Sequence, residues 1–89
     1  MNLDDLRRRL DTIDEQLLSL LAERAQVILQ VAAYKRQHDI PVYVPEREAF
    51  IIQRLRALAP RPLSADAVER IYRMIIEEMR NLEAENIVH

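Results

Sequence analysis

The sequence of 89 residues contains no glycine, no cysteine and no tryptophan, and the first two absences exclude whole classes of site. Without cysteine there can be no disulfide, thiol nucleophile or cysteine metal ligand. Without glycine the chain lacks the loops that bind dinucleotides or the phosphates of nucleoside triphosphates, and tight hairpins at positive φ are disfavoured. The net charge of −2 lacks the basic excess of nucleic-acid-binding proteins. These absences leave a helical protein.

Signals for membrane insertion and export are also missing. The longest uncharged run, from Ala25 to Tyr34, is far shorter than the roughly 20 residues that span a bilayer. Met1 is not followed by the basic and then apolar residues of a signal peptide. We therefore expect a soluble, cytoplasmic protein with no membrane and no nucleic-acid partner.

Four prolines in two pairs divide the chain into three segments, about 2–39, 45–59 and 64–86, because proline interrupts helices. Each segment repeats apolar residues every three or four positions, as an amphipathic helix does. Asn2 and Ser64 are suitable N-caps, and Pro45 suits the first turn of a helix. The sequence therefore predicts an all-α fold with three helices in a single domain, residues 1–89.

The first predicted helix is too long for a domain of this size. About 37 residues at 1.5 Å per residue give roughly 55 Å, whereas a globule of this length is about 30 Å across. In a monomer, half of the apolar stripe would be exposed to water, which normally indicates an interface. We therefore expect a two-fold dimer in which two long helices pack antiparallel and the shorter helices cover them. An isolated coiled coil would not account for the amphipathic second and third segments.

Charged side chains interrupt the apolar stripes of all three helices. At 100° per residue, Arg24 lies at the centre of the first stripe and Lys35 lies within about 20° of it. Glu48, flanked by Arg47, points into the core side of the second helix, and Glu83 lies at the edge of the third stripe. Taken singly, Arg24 could set the helix register, Lys35 could extend to water and Glu83 could be a solvated charge. Taken together, they favour a pocket for a small charged ligand over a structural ion network, which would gain little stability.

The chain resembles the all-helical bacterial chorismate mutases over essentially its whole length. The resemblance is carried by Leu6-Arg7, Ile13-Asp14-Glu15, Leu17-Leu18, Leu20-Leu21-Ala22-Glu23-Arg24, Lys35, Pro41-Val42, Arg47-Glu48 and Ile75-Ile76-Glu77.

The resemblance implies an intertwined homodimer with two identical active sites that convert chorismate to prephenate, a branch-point step toward phenylalanine and tyrosine. This reaction is a unimolecular Claisen rearrangement, and it needs no cofactor, no metal and no covalent intermediate. Catalysis then depends on holding the compact reactive conformer and on stabilising charge at the ether oxygen as its bond breaks.

The resemblance also assigns roles to individual residues. Arg24 and Arg47 would bind the carboxylates of the substrate, Lys35 would donate to the ether oxygen, and Glu48 would hold the ring hydroxyl. Arg7 matches an arginine that the family contributes from the neighbouring subunit. Helix geometry agrees, because Arg7 lies about 25 Å along the helix from Arg24 and about 100° around it.

Three candidate substrate-binding positions depart from the commonest pattern of the family. Val44 stands where aspartate is usual, so that only its backbone N–H could contribute. Met79 replaces a small residue, often serine. Glu83 stands where glutamine is usual, and it must be protonated to donate a hydrogen bond to the ether oxygen.

Alternatives stay open at this point. A pyruvate lyase acting on isochorismate could use the same fold and the same cationic pocket. A helical interaction module without activity could use the inward charges only to set register. Chains of this type also occur fused to an aldolase-type synthase, and the third predicted helix has no stop signal before His89.

Overall fold

The computed structural model describes the backbone of residues 1–88 and the side chains of residues 1–86. It contains three helices, α1 (Leu3–His38), α2 (Pro45–Leu58) and α3 (Ala65–Val88). No strand occurs in the described part of the chain. The predicted all-α fold is therefore confirmed, and the predicted segment ends lie within two residues of the observed ones.

Side chains and proline define where the helices begin. Asn2 and Asp5 form a capping box, in which the Asn2 side chain accepts from the Asp5 amide at 2.9 Å and the Asp5 carboxylate accepts from the Asn2 amide at 3.4 Å. Pro45 begins α2, which has no side-chain cap. The hydroxyl of Ser64 accepts from the Ala67 amide at 3.0 Å. Both predicted N-caps are therefore observed.

Helix α1 ends at a residue with positive φ, a conformation that a sequence without glycine disfavours. Asp39 has φ 54° and ψ 40°, the left-handed region that aspartate tolerates better than most residues. The amides of Asp39 and Ile40 both donate to the carbonyl of Lys35, the second at 2.9 Å. This cap turns the chain sharply, so that the segment before α2 passes beside the last turns of α1.

Helix α3 packs against both α1 and α2, but it covers only part of α1. Among the described side chains, few apolar residues are buried: Ala32, Ile52, Ile76 and Met79. The N-terminal half of α1 instead exposes an apolar stripe that we call the open stripe, consisting of Leu3, Leu6, Leu10, Ile13, Leu17 and Leu20. The chain measures 54 × 26 × 14 Å, because α1 extends well beyond the rest of the fold.

By length and composition alone, α1 could also be a membrane-spanning helix. It contains an 18-residue window with a mean hydropathy of 1.2 and no more than two charged residues. However, Arg24 and Lys35 of α1 face a cavity that charged side chains of α2 and α3 also line, and a charge at the centre of a bilayer costs about 2.5–3.5 kcal/mol on insertion scales. We therefore interpret the apolar content of α1 as that of a protein interface.

Candidate active site

The three helices enclose a cavity of about 490 Å³ beside the C-terminal half of α1. Each helix contributes two charged side chains to the lining of this cavity, and valines and isoleucines lie beside them. Six of the residues singled out from the sequence are among the lining: Arg24, Lys35, Val44, Arg47, Glu48 and Glu83. The structure thus brings together charges that are up to 59 positions apart in the sequence (24 to 83).

Lys35 and Glu83 form a close ion pair in the wall of this cavity. The Lys35 Nζ lies 2.7 Å from Glu83 Oε1, and it also donates to the carbonyl of Val42 at 2.9 Å. Their side chains are only 15% and 6% exposed. The contact is a charge pair rather than a well-aligned hydrogen bond, because Glu83 Oε1 has no partner with hydrogen-bond geometry. Reading Lys35 as a side chain extended to water, or Glu83 as a solvated charge, is therefore wrong.

Arg24 presents an unused donor to the cavity. Its guanidinium lies 5.9 Å from the centre of the Tyr72 ring, a cation–π contact that links α1 to α3. Its Nη1 atom is buried and has no hydrogen-bond partner among the described residues. A buried donor without a partner is costly, so this atom is suited to an anionic ligand.

The first turn of α2 directs Arg47 and Glu48 toward the cavity. The amides of both residues donate to the carbonyl of Val44, at 3.1 and 3.2 Å, and so begin the helix. The Arg47 guanidinium lies 5.4 Å from the ring centre of the exposed Phe50, which gives this aromatic residue a contact on its own helix. Val44 contributes to the cavity as the N-cap of α2.

The sequence reasoning missed Arg80, a cavity residue on α3. Its Nε lies 3.3 Å from Glu48 Oε2, and its guanidinium lies 5.0 Å from the centre of the Tyr43 ring. At 100° per residue, Arg80 lies about 40° from Ile76 and about 80° from Tyr72, outside the apolar stripe of α3. The angular test that selects Glu83, which lies within about 20° of both residues, therefore does not select Arg80.

Two of the predicted substrate-binding residues lie outside the cavity of this chain. Met79 is buried in the apolar core and does not line the cavity. Its flexible thioether fills space between helices, and its contact with substrate stays a prediction. Arg7 lies on the exposed N-terminal half of α1, about 25 Å along the helix from Arg24 at 1.5 Å per residue.

The charges that line the cavity do not balance. The four cations are Arg24, Lys35, Arg47 and Arg80, and the two carboxylates are Glu48 and Glu83. The surplus of two positive charges in a partly enclosed pocket favours a ligand with two negative charges, and guanidinium groups are especially suited to carboxylates.

Comparison with known proteins identifies the family. The sequence profile described as "Chorismate mutase type II" matches residues 6–84. The chain belongs to this family. The crystal structure of the Helicobacter pylori chorismate mutase in complex with prephenate is similar, with a TM-score of 0.86 and 29% identity, over 97% of this chain and 92% of that one. The family resemblance seen in the sequence is therefore confirmed.

Relatives of this chorismate mutase domain differ in overall length. The chorismate mutase of Methanocaldococcus jannaschii is 34% identical over 91% of this chain and 83% of its own length. The T-protein of Haemophilus influenzae is 39% identical over 85% of this chain but only 20% of its own length. The bifunctional chorismate mutase/prephenate dehydratase of Pseudomonas aeruginosa is 40% identical over 88% of this chain and 23% of its own length. The chain thus spans about a fifth of the length of some curated relatives, and the fused activity named among these is a prephenate dehydratase.

Proposed function

We propose that this chain is a chorismate mutase, which rearranges chorismate to prephenate as a soluble, cytoplasmic enzyme. The observation that carries the proposal is the cavity with two surplus positive charges in a chain of this family. Chorismate is a dicarboxylate, so its charge complements that surplus. The similar Helicobacter pylori protein was solved with prephenate, the product of the same rearrangement.

Arginines on two helices would bind the carboxylates. Arg24 of α1 has a buried, unpartnered Nη1, and Arg47 lies in the first turn of α2. A guanidinium can form two parallel hydrogen bonds to one carboxylate. Arg24 and Arg47 together would therefore bind both carboxylates of the substrate and select its compact conformer. This contribution supplies the orientation that a unimolecular rearrangement needs.

Lys35 and Glu83 would act at the ether oxygen, where negative charge develops as the C–O bond breaks. The Lys35 ammonium is largely buried and is already fixed by Val42 and Glu83. A fixed cation in a pocket of low dielectric stabilises such charge without reorganising during the reaction. Glu83 adds a donor only when it carries a proton. Glu48 would accept a hydrogen bond from the ring hydroxyl.

The active enzyme would be an intertwined homodimer in which Arg7 of one chain completes the site of the other. Two observations support this assembly: the open stripe needs a covering surface, and Arg7 is too far from Arg24 to share a ligand within one chain. In this arrangement the exposed N-terminal half of α1 would pack against α1 of the second chain, and Arg7 would lie at the second chain's cavity.

Turnover of chorismate by the purified protein tests the proposal directly. We expect chorismate absorbance to fall while prephenate accumulates, and Arg24→Ala to lower kcat/KM by about 10²–10³-fold, as for other groups that stabilise a transition state. Arg54→Ala, on an exposed position of α2, is the matched control and should keep full activity.

Two other outcomes would contradict the mutase assignment. Release of pyruvate from isochorismate, without turnover of chorismate, would identify a lyase on the same fold. A folded protein that turns over neither substrate would be an interaction module.

A further inference from the structure

The ion pair between Arg80 and Glu48 separates two cavities. Both residues line the main cavity, and both also line a second cavity of about 210 Å³ beside it. Arg73 and Glu77 of α3 line only the second cavity. The pair therefore forms part of the wall that closes the main cavity on the side of α2 and α3.

Arg80 is held in this wall from two directions. Its guanidinium lies 5.0 Å from the centre of the Tyr43 ring, in the segment before α2, and its Nε lies 3.3 Å from Glu48 Oε2. The Nε atom is buried and has no hydrogen-bond partner among the described residues, so its contact with Glu48 is a charge pair rather than an aligned hydrogen bond. Arg80 thus faces Glu48 and is kept there by an aromatic ring.

Glu48 depends on this cation. In the described part of the chain, the cation within ion-pair distance of its carboxylate is Arg80. A bound dicarboxylate would otherwise lie in the same cavity as an uncompensated carboxylate, and like charges at close range repel strongly. Without Arg80, Glu48 would be free to turn away from such a ligand.

We propose that Arg80 is a positioning residue, which holds Glu48 in place to accept a hydrogen bond from the ring hydroxyl of the substrate. This inference rests on the function proposed above and extends it to substrate preference. A site built to bond a hydroxyl strongly rejects an analogue without one, because its buried polar group is then left unpaired. Arg80 therefore contributes to the preference for chorismate over analogues that lack the hydroxyl or carry it at another ring position.

Kinetics with two substrates test the proposal. The enzyme is assayed with chorismate and with the chorismate analogue that lacks the ring hydroxyl. We expect Arg80→Met to lower kcat/KM for chorismate about tenfold or more, the effect of losing one hydrogen bond to a charged group. For the analogue, the loss should be under about threefold, because no hydroxyl is there for Glu48 to bind. Arg80→Lys keeps the positive charge and should restore part of the preference.

Repeating the Arg80→Met change in an enzyme that already carries Glu48→Gln makes the test more specific. In a Glu48→Gln enzyme, Arg80→Met should have little further effect on chorismate, since a residue that acts through another loses its effect when that partner is replaced. Arg70→Met, on an exposed position of the same helix, is the matched control. It should leave both substrates unaffected.

Equal losses on both substrates would overturn the proposal, and so would fully additive effects of Arg80→Met and Glu48→Gln. Either result would mean that Arg80 contacts a carboxylate itself or merely supports the fold. If circular dichroism shows that Arg80→Met does not fold, Arg80→Gln, which also removes the charge, carries the same comparison.

A third measurement does not depend on catalysis. Glu48→Gln should shift the Nε–H NMR signal of Arg80 if the two groups are paired, and an unchanged signal would refute the pairing. If wild-type enzyme fails to turn over chorismate while this signal shifts, the proposed function fails and the pairing stands.

Discussion

The two halves of α1 carry the same apolar periodicity but have different surroundings. In the C-terminal half, Ala32 is only 2% exposed, and Arg24 and Lys35 face the cavity. In the N-terminal half, Leu10 and Leu17 are 58% and 52% exposed, although their spacing is equally regular. Periodicity therefore identifies a face that requires burial without identifying what buries it. In one half the cover is α3, and in the other we propose a second copy of the chain.

A charge placed in the open stripe should have the largest effect. Ile13→Glu would put an unpaired carboxylate into the proposed apolar interface, where uncompensated burial costs about 3–5 kcal/mol. Because we expect folding and dimerisation to be inseparable, this variant should lose helical signal and activity together. Sedimentation with circular dichroism, at micromolar concentrations, measures both.

Ser19→Glu is the matched control, because it adds the same charge at an exposed position about 120° from Ile13 around the helix. It should remain dimeric. A wild-type chain that sediments as a folded 10.5 kDa monomer would contradict the assembly, and dependence on detergent for solubility would instead favour a membrane role for α1.

Mixing one variant from each half of α1 tests whether the two halves, from different chains, contribute to the same site. Arg7→Ala and Arg24→Ala should each be nearly inactive alone. If Arg7 acts in the partner's site, a mixed dimer collects both defects in one site and neither in the other. Mixing should then restore activity toward one quarter of the wild-type level, as the statistics of random subunit exchange require. Activity that stays absent after exchange has been verified would refute the shared site.

Replacing Glu83 is a smaller change within the enclosed half. A carboxylate accepts hydrogen bonds and cannot donate one, whereas a glutamine amide can donate to the ether oxygen. We therefore expect Glu83→Gln to keep or raise kcat/KM for chorismate, measured at one fixed pH. A loss of about tenfold or more would mean that the carboxylate is needed for its contact with Lys35 rather than at the ether oxygen.

The smallest effect should come from an exposed charge cluster that joins α2 to α3 away from the cavity. Arg56 Nη1 lies 2.8 Å from Asp66 Oδ1 and 2.9 Å from Glu69 Oε1. The hydrogen bond from Arg56 lowers the pKa of Asp66, and hydrogen bonds from Arg73 and then Arg56 lower the pKa of Glu69. Since these pKa values are lower in the folded state, the stabilisation is present at neutral pH and is lost as the pH falls through them.

Arg56→Met should consequently lower the urea midpoint slightly at pH 7 and have no effect near about pH 2, below the usual range of carboxyl groups. Its kcat/KM for chorismate should be unchanged. A midpoint difference that persists at acid pH would attribute the effect to the packing of the Arg56 stem rather than to its charge.

The sequence predicted most of the fold because its strongest signals are local. Proline pairs mark the breaks between helices, and Asn2 and Ser64 satisfy amides only three residues away. The left-handed turn at Asp39 was not predicted, because a residue other than glycine takes that conformation only where the surrounding contacts hold it.

The site was predictable where one helix face determines the direction of a side chain, as for Arg24 and Glu83. Tertiary packing decided the remaining positions. Met79 shares its face of α3 with cavity residues but is buried in the core, and Arg80 has partners, Tyr43 and Glu48, from other parts of the chain. No pattern within α3 alone could identify those partners.

The contacts around Lys35 limit how many ligand oxygens its ammonium group can hydrogen-bond. An ammonium group has three N–H donors, and in this structure one donates to the Val42 carbonyl. The Glu83 carboxylate lies 2.7 Å from Lys35 Nζ without hydrogen-bond geometry and occupies a second side of the ammonium group. At most two donors are therefore left for a ligand. If Lys35 contacts the ether oxygen as we propose, that oxygen competes with Glu83 and with water for these donors.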